Sequence, residues 1–258
     1  MKPGKVEKYI NKKIEEEGAI LLSLIDPDKQ PGNVGEKTAK VSEESGADII
    51  LVGGSIGAQG IYLDETVKVI KEAVSIPVVL FPGNNSSLSP FADACYFMFL
   101  LNSKDVYWST TAQIQGAWVV KKMGLEPIPT GYVVIEPGMA VGWVSNANLV
   151  PRSRPDLAAA TALAAEYMGA RLVITDSGSG APSPAPLQLI KTVKSVLSIP
   201  YFYAGGIKRP EQGYNIIKAG ADGIHVGTAF EISESKKAGE KIKAMSNAVK
   251  KAGKEKVG

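Results

Sequence analysis

Two stretches of the chain repeat each other in order and at equal spacing. Gly46-Ala47 introduces an apolar run and Ser75-Ile76-Pro77 opens the next, and Gly169-Ala170 and Ser198-Ile199-Pro200 do the same further on. Glycine to proline spans 31 residues in both copies, and the copies lie 123 residues apart, close to half of the 258-residue chain. A strand–helix–strand unit that recurs half a chain later is what eight parallel strands closed in a ring would show, because opposite strands occupy equivalent places. The repeat predicts a duplicated half-barrel.

Eight short apolar runs rich in β-branched or aromatic residues fit that ring, near 19–25, 48–52, 78–81, 96–100, 132–135, 172–175, 201–203 and 223–226. Runs without polar alternation suit parallel strands buried on both faces. Stretches of helix length lie between most of them, at 34–45, 64–74, 110–122, 155–168, 184–197 and 210–219. Pro155, Pro184 and Pro210 suit first helical turns, and Gly46, Gly124, Gly169 and Gly220 suit C-terminal caps. One interval departs from the pattern: Pro82-Gly83-Asn84-Asn85-Ser86-Ser87-Leu88-Ser89-Pro90 disfavours a full helix. The expected fold is therefore α/β, a TIM (β/α)8 barrel over residues 1–258 with the helix between strands 3 and 4 missing or irregular. Such a barrel has a gap in its flank that admits something long and apolar. An open doubly wound sheet is the competing architecture; the count of eight and the half-length repeat favour the closed one.

No linker separates two composition regimes, so one domain is expected. A net charge of +3 is too small to argue for nucleic acid, and no basic run is interleaved with aromatics. Lys236, Lys237, Lys241, Lys243, Lys250 and Lys251 fall at helical spacing and read as a solvated face rather than a membrane patch. The lone Cys95 begins an apolar run and reads as a buried structural thiol. The first residues show no signal peptide, and no apolar run is long enough to span a bilayer. A soluble, cytoplasmic protein is expected.

On such a barrel, reactive groups lie at the C-terminal ends of the strands, with a phosphate site commonly after strands seven and eight. The turns Gly205-Gly206 and Gly227-Thr228 fall there, and Gly178-Ser179-Gly180 follows strand six. These are either tight βα turns or a cradle for a phosphate monoester; their joint placement favours the cradle. Asp26 and Asp28 bracket a proline at the end of strand one. They read as turn aspartates or as a hard-cation site to which Ser55, on the next strand end, adds a hydroxyl. Lone His225 reads as a core or lining residue, and with one histidine no zinc cluster or Ser-His-Asp order is visible. Lys208 suits anion pairing or solvent exposure better than a Schiff base. Trp108, Trp118 and Trp143 either line an apolar channel or belong to a packed core or subunit contact.

With the rim assembled, the chain resembles the geranylgeranylglyceryl phosphate synthase family, archaeal ether-lipid prenyltransferases related to heptaprenylglyceryl phosphate synthases. The resemblance runs from about Ile20 to Glu231. It is carried by Leu24-Ile25-Asp26-Pro27-Asp28-Lys29, Val52-Gly53-Gly54-Ser55, Phe81-Pro82-Gly83-Asn84, Leu101-Asn102-Ser103, Tyr132-Val133-Val134-Ile135-Glu136-Pro137-Gly138, Gly178-Ser179-Gly180-Ala181, Ala204-Gly205-Gly206-Ile207 and Val226-Gly227-Thr228. It implies a Mg²⁺-dependent transfer of the prenyl group of geranylgeranyl diphosphate to the C3 hydroxyl of sn-glycerol 1-phosphate, with release of diphosphate, in membrane phospholipid biosynthesis. It further implies that Asp26 and Ser55 bind Mg²⁺. Ile174, Thr175, Asp176, Ser177, Gly178, Ser179 and Gly180, with Gly205, Gly206, Gly227 and Thr228, would hold glycerol phosphate, and Asp176 would act as the base. Relatives are dimers or larger, so a homo-oligomer is implied.

The chain departs from the family after strand six, where Tyr-Leu-Glu-Ala-Gly-Ser-Gly is usual and Ile174-Thr175-Asp176-Ser177-Gly178-Ser179-Gly180 stands here. The usual phenol is absent and the base is one methylene shorter. Ser177 could supply the missing hydrogen bond. Two rival readings are a sugar-phosphate isomerase using Asp26 and Asp176 as its acid–base pair, which needs no long apolar channel, and a non-catalytic phosphate-binding module.

Overall fold

The computed structural model describes residues 2–231 and 235–257, with the side chains of 235–237, Lys236 and Lys237 among them, outside the described residues. Helix α1 (Lys5–Glu17) closes the foot of a barrel, tucking Val6 and Ile10 under strand β1 (Ile20–Ile25). The order continues α2 (Asn33–Glu44), β2 (Ile49–Val52), α3 (Gly60–Ala73) and β3 (Val78–Leu80). A single 3₁₀ turn, Asn85–Ser87, leads to β4 (Ala94–Leu100), and a π-helical turn, Tyr107–Thr111, runs into α4 (Ala112–Met123). Then follow β5 (Glu126–Val134), α5 (Met139–Val144), α6 (Pro155–Tyr167), β6 (Leu172–Asp176), α7 (Leu187–Val196), β7 (Tyr201–Ala204), α8 (Pro210–Lys218), β8 (Gly223–Val226) and α9 (Ser235–Val257). The strands pair in parallel in chain order, and β8 closes on β1. The barrel and the missing third helix agree with the sequence reading.

Side-chain alternation builds two layers. Ile20, Leu22, Ile49, Leu51, Val79, Tyr96, Tyr132, Ile174 and Phe202 fill the interior, while Leu21, Val133, Val173, Tyr201 and Tyr203 face the outer helices. Gly46, Gly124, Gly169 and Gly220 all have positive φ, as their capping positions require.

The repeat has a physical basis. Glu43, at the end of α2, accepts hydrogen bonds from the Ser75 N–H (2.9 Å) and hydroxyl. Glu166, at the end of α6, does the same for Ser198 (3.1 Å from its N–H). Each carboxylate clips the start of the second strand to the helix before the first. At the foot, Asp93 accepts from Val78 N–H (2.8 Å) and Lys71 (2.7 Å), and Asp222 accepts from Tyr201 N–H (3.0 Å) and Lys194 (2.6 Å). Val78 and Asp93 are 15 residues apart, whereas Tyr201 and Asp222 are 21 apart. The copies thus share their anchors and differ in the connection between them.

Three details differ from the sequence reading. Helix α7 starts at Leu187 with Pro186 as its N-cap, so Pro184 lies in the preceding loop. Strand β5 starts at Glu126, well before the expected Tyr132, despite Pro127 and Pro129. Its ladder to β6 begins only at Thr130, so both prolines sit where β4 is the sole neighbouring ladder. Helix α5 is a six-residue extra, capped by Gly138 in the left-handed region.

Candidate active site

The turn after β1 carries Asp26, whose backbone oxygen accepts from Lys29 and Gln30 and whose Oδ1 accepts from the Asp28 N–H (3.2 Å). A Cβ on Gly54 would lie 2.6 Å from Asp26 Oδ1, so the glycine is what lets the β2 rim approach the carboxylate. Burial pushes the Asp26 carboxyl above its usual range, against the opposing pull of the Asp28 N–H and the Lys29 ammonium. Asp26, Asp28 and Ser55 all line one cavity. The donor set is oxygen only, which suits a hard cation. Among the described residues no group of three or more His, Cys, Asp or Glu side chains could cage a metal. An oxygen-only set of one or two carboxylates and a hydroxyl is the kind that Mg²⁺ takes when a substrate phosphate and water complete its shell.

Across the mouth, β6 ends in Asp176, 7% exposed. Its Oδ2 accepts from the Tyr132 hydroxyl (2.6 Å) and its Oδ1 from the Gly178 N–H (2.6 Å). Burial raises the Asp176 carboxyl above the usual range even though both hydrogen bonds favour its ionised form. Gly205, at φ +92°, brings β7 against this group: a Cβ there would lie 2.8 Å from the Ser177 and Gly178 nitrogens and 2.9 Å from Asp176 Oδ1. The Ser179 and Thr228 hydroxyls lie 3.1 Å apart, so the turns after β6 and β8 meet. The N–H groups of Ser179, Gly180, Gly206 and Thr228 donate to no other described residue, leaving free donors on the three glycine turns, the last of them at the start of a 3₁₀ turn, Thr228–Phe230.

Between these two edges the cavity, about 360 Å³, continues through the flank. Its walls include Tyr96 and Met98, which point inward from β4, and also Cys95 and Phe97, which point outward from the same strand. The space therefore passes around β4 toward α4, where Ala112, Gly116 and Val120 form one line at helical spacing. No helix stands between β3 and β4 to fill it. Below lies an aromatic floor: Phe81, Tyr96 and Phe202 surround His225 with ring centroids 5.4–5.7 Å away. His225 is a core residue, with burial driving its pKa down to about 3 and Nε2 3.2 Å from the Tyr96 hydroxyl. Cys95 is buried, its thiol pushed up to about 12, as a structural thiol requires.

Several residues take other places than expected. Ile174 faces the barrel interior and is fully buried among apolar neighbours. Thr175, one position on, faces outward and shares a hydrogen bond with the Tyr201 hydroxyl (2.7 Å). Ser177 is fully buried against the Tyr203 hydroxyl (2.9 Å) and has no side-chain path to the mouth, so it does not replace the missing phenol. A phenol does reach Asp176, that of Tyr132 on the neighbouring strand, which donates to its Oδ2. Strand alternation was the signal for it, since Tyr132 stands opposite Ile174 in the ladder. Gly206 packs on Ser183 and Pro184. Of the tryptophans, Trp108 lines the cavity, whereas Trp118 and Trp143 are 67% and 85% exposed and neither line it nor belong to the core. Lys208 is exposed, its ammonium on the Pro182 carbonyl (3.2 Å). Lys241, Lys243 and Lys251 are exposed, but Lys250 is paired with Asp48 and Glu17. No described helix is long and apolar enough to cross a membrane.

Comparison with known proteins agrees with this geometry. The PcrB family model matches residues 11–249. The geranylgeranylglyceryl phosphate synthase of Pyrococcus horikoshii is 50% identical over 95% of this chain and 97% of its own length. That of Thermococcus kodakarensis is 48% identical over 97% and 99%. The crystal structure of (S)-3-O-geranylgeranylglyceryl phosphate synthase from Thermoplasma acidophilum, in complex with its substrate sn-glycerol-1-phosphate, superposes with a TM-score of 0.91 at 35% identity, over 97% of this chain and all of that one. The chain belongs to the PcrB family, with the geranylgeranylglyceryl phosphate synthases among its relatives.

Proposed function

We propose that the chain is a prenyltransferase that joins the C3 hydroxyl of sn-glycerol 1-phosphate to the first carbon of geranylgeranyl diphosphate, in a Mg²⁺-dependent reaction of ether-lipid synthesis. One observation carries the reading: a buried carboxylate, Asp176, stands where a polar glycine-turn rim meets an apolar cavity that leaves through the barrel's flank. The free N–H groups of the three glycine turns would take the phosphate of the acceptor. The walls from Phe97 to Val120 would take the isoprenoid, at roughly 0.8 kcal/mol for each CH₂ removed from water. Asp26 and Ser55 would hold Mg²⁺, which when bound neutralises the charge gathering on the departing diphosphate.

Asp176, oriented by Tyr132 and Gly178, accepts the C3 hydroxyl proton as that oxygen bonds to the allylic carbon and the carbon–diphosphate bond breaks. Its tightly bonded oxygens fix which lone pair faces the acceptor. The apolar walls speak against a sugar-phosphate isomerase, whose substrate is polar along its length. The reading includes a cytoplasmic location and a homo-oligomer, the latter because Ile114 and Trp118 leave an apolar strip exposed on α4.

The test is incubation of labelled sn-glycerol 1-phosphate with Mg²⁺ and a set of prenyl diphosphates. Label moving into butanol, with the mass of the prenyl ether, is expected. Label remaining in water with every donor would reject the reading, and binding of glycerol phosphate without turnover would indicate a phosphate-binding module.

A further inference from the structure

The donor end of the cavity is crowded with negative charge. Asp26, Asp28 and Glu231 line it, and among the described residues that line it Lys29 is the sole lysine or arginine. A diphosphate entering there meets three carboxylates and one ammonium. In the free protein that ammonium is engaged: Lys29 Nζ lies 2.9 Å from Glu231 Oε1 and 3.9 Å from Asp26 Oδ2. The pair links the turn after β1 to the 3₁₀ turn after β8, residues 202 positions apart. Lys29 is 45% exposed and Glu231 32%, so the ammonium changes partner without leaving water.

We infer that Lys29 is the diphosphate-capturing cation of this site, and that Glu231 holds it in reserve until the donor arrives. This rests on the prenyl-transfer reading. Three features support it. Lys29 follows Asp26 by three residues within the turn after β1, and its ammonium lies beside the carboxylate where the leaving group would gather. A lysine ammonium is a mobile point charge with three donors, suited to an anion that arrives, gains charge and departs. An ion pair this exposed is weak, so an incoming polyanion readily exchanges for the carboxylate. Glu231 therefore opposes capture: it competes for the same cation and adds repulsion of its own.

The two residues must then act with opposite signs. Binding of inorganic diphosphate in the presence of Mg²⁺, followed by calorimetry, reads this without turnover. Lys29→Met is expected to weaken diphosphate binding at least tenfold and to raise KM for the prenyl donor, with KM for glycerol phosphate unchanged. Lys29→Arg is expected to restore most of the loss, and Glu231→Gln to tighten diphosphate severalfold. Wild-type diphosphate affinity in Lys29→Met would overturn the inference. So would a Glu231→Gln variant that weakens binding as much as Lys29→Met does, the mark of a strap that merely holds two loops together. Absence of ether product from the unaltered protein would reject the transferase reading instead, and would leave the diphosphate titration to be judged by itself.

Discussion

The half of the barrel around β2 and β3 and the half around β6 and β7 are built to one plan and differ in one connection. In both, a glutamate clips a Ser-Ile-Pro segment, and a Lys–Asp pair pins the strand that follows. After β7 the chain inserts α8 before reaching its aspartate; after β3 it is six residues shorter and manages only a 3₁₀ turn. The closed side gathers glycine turns and a buried carboxylate, and the open side a greasy passage. Shared anchors keep the ring intact, so a helix can be lost without opening the sheet.

The contrast can be broken at either side. The largest effect is expected on the closed side, where Asp176→Asn should lower turnover about 10²–10⁴-fold, the usual worth of a general base. Because the Asp176 pKa is raised by folding, the folded protein keeps its proton at pH values where the unfolded chain has lost it. Ionising it as pH rises through that window removes stability. Thermal melts should show the Tm of Asp176→Asn gaining on the wild type between pH 3 and pH 7; an unchanging difference would contradict the burial argument.

On the open side, Gly116→Leu places a side chain where a Cβ already comes within 2.7 Å of Asn85 Oδ1. Displacing two or three methylenes of the donor is worth about 2 kcal/mol. Steady-state assays should therefore show kcat/KM for a geranylgeranyl donor down by tens of fold and for a geranyl donor much less.

A smaller contrast separates two glycine turns. Gly205→Ala should cost about 1–3 kcal/mol in urea melts, because its φ is +92° and three atoms crowd the new Cβ. Gly227→Ala, at φ −114° with its nearest neighbour 3.3 Å away, should cost less than about 0.5 kcal/mol. The narrowest contrast is between the paired anchors. Asp222 bonds Lys194 and Lys256 and is 6% exposed, so Asp222→Asn should cost about 2 kcal/mol. Asp93, 29% exposed with Lys71 alone, should cost about 1 kcal/mol or less. Equal losses would deny that the closed half carries the stiffer anchor.

What could be read from residues was what repeats or breaks a period. The half-length repeat and the Pro82–Pro90 interruption predicted both the ring and its gap, because each is a local property of the chain. Asp26 and the glycine turns were legible because strand ends converge in this architecture. That Tyr132, Lys29 and Glu231 line one cavity escaped, because it depends on side chains crossing from one strand end to another. Thr175 and Ser177 entered the expected site with the whole segment 174–180, through the family resemblance, and period-two alternation turns both of them outward. For Trp118 and Trp143 the residue type left lining, core and subunit contact open, and only the packing shows that both lie on the outside.

The rings packed around His225 seal the barrel's centre. With the rings in mutual contact and the buried imidazole uncharged, the seal does not yield to pH in the neutral range. Under the proposed function, the length of isoprenoid accepted would then be set by the walls at α4 and the short 3₁₀ turn. Tailoring donor choice therefore means recarving those two segments, while the base of the chamber serves as a fixed stop.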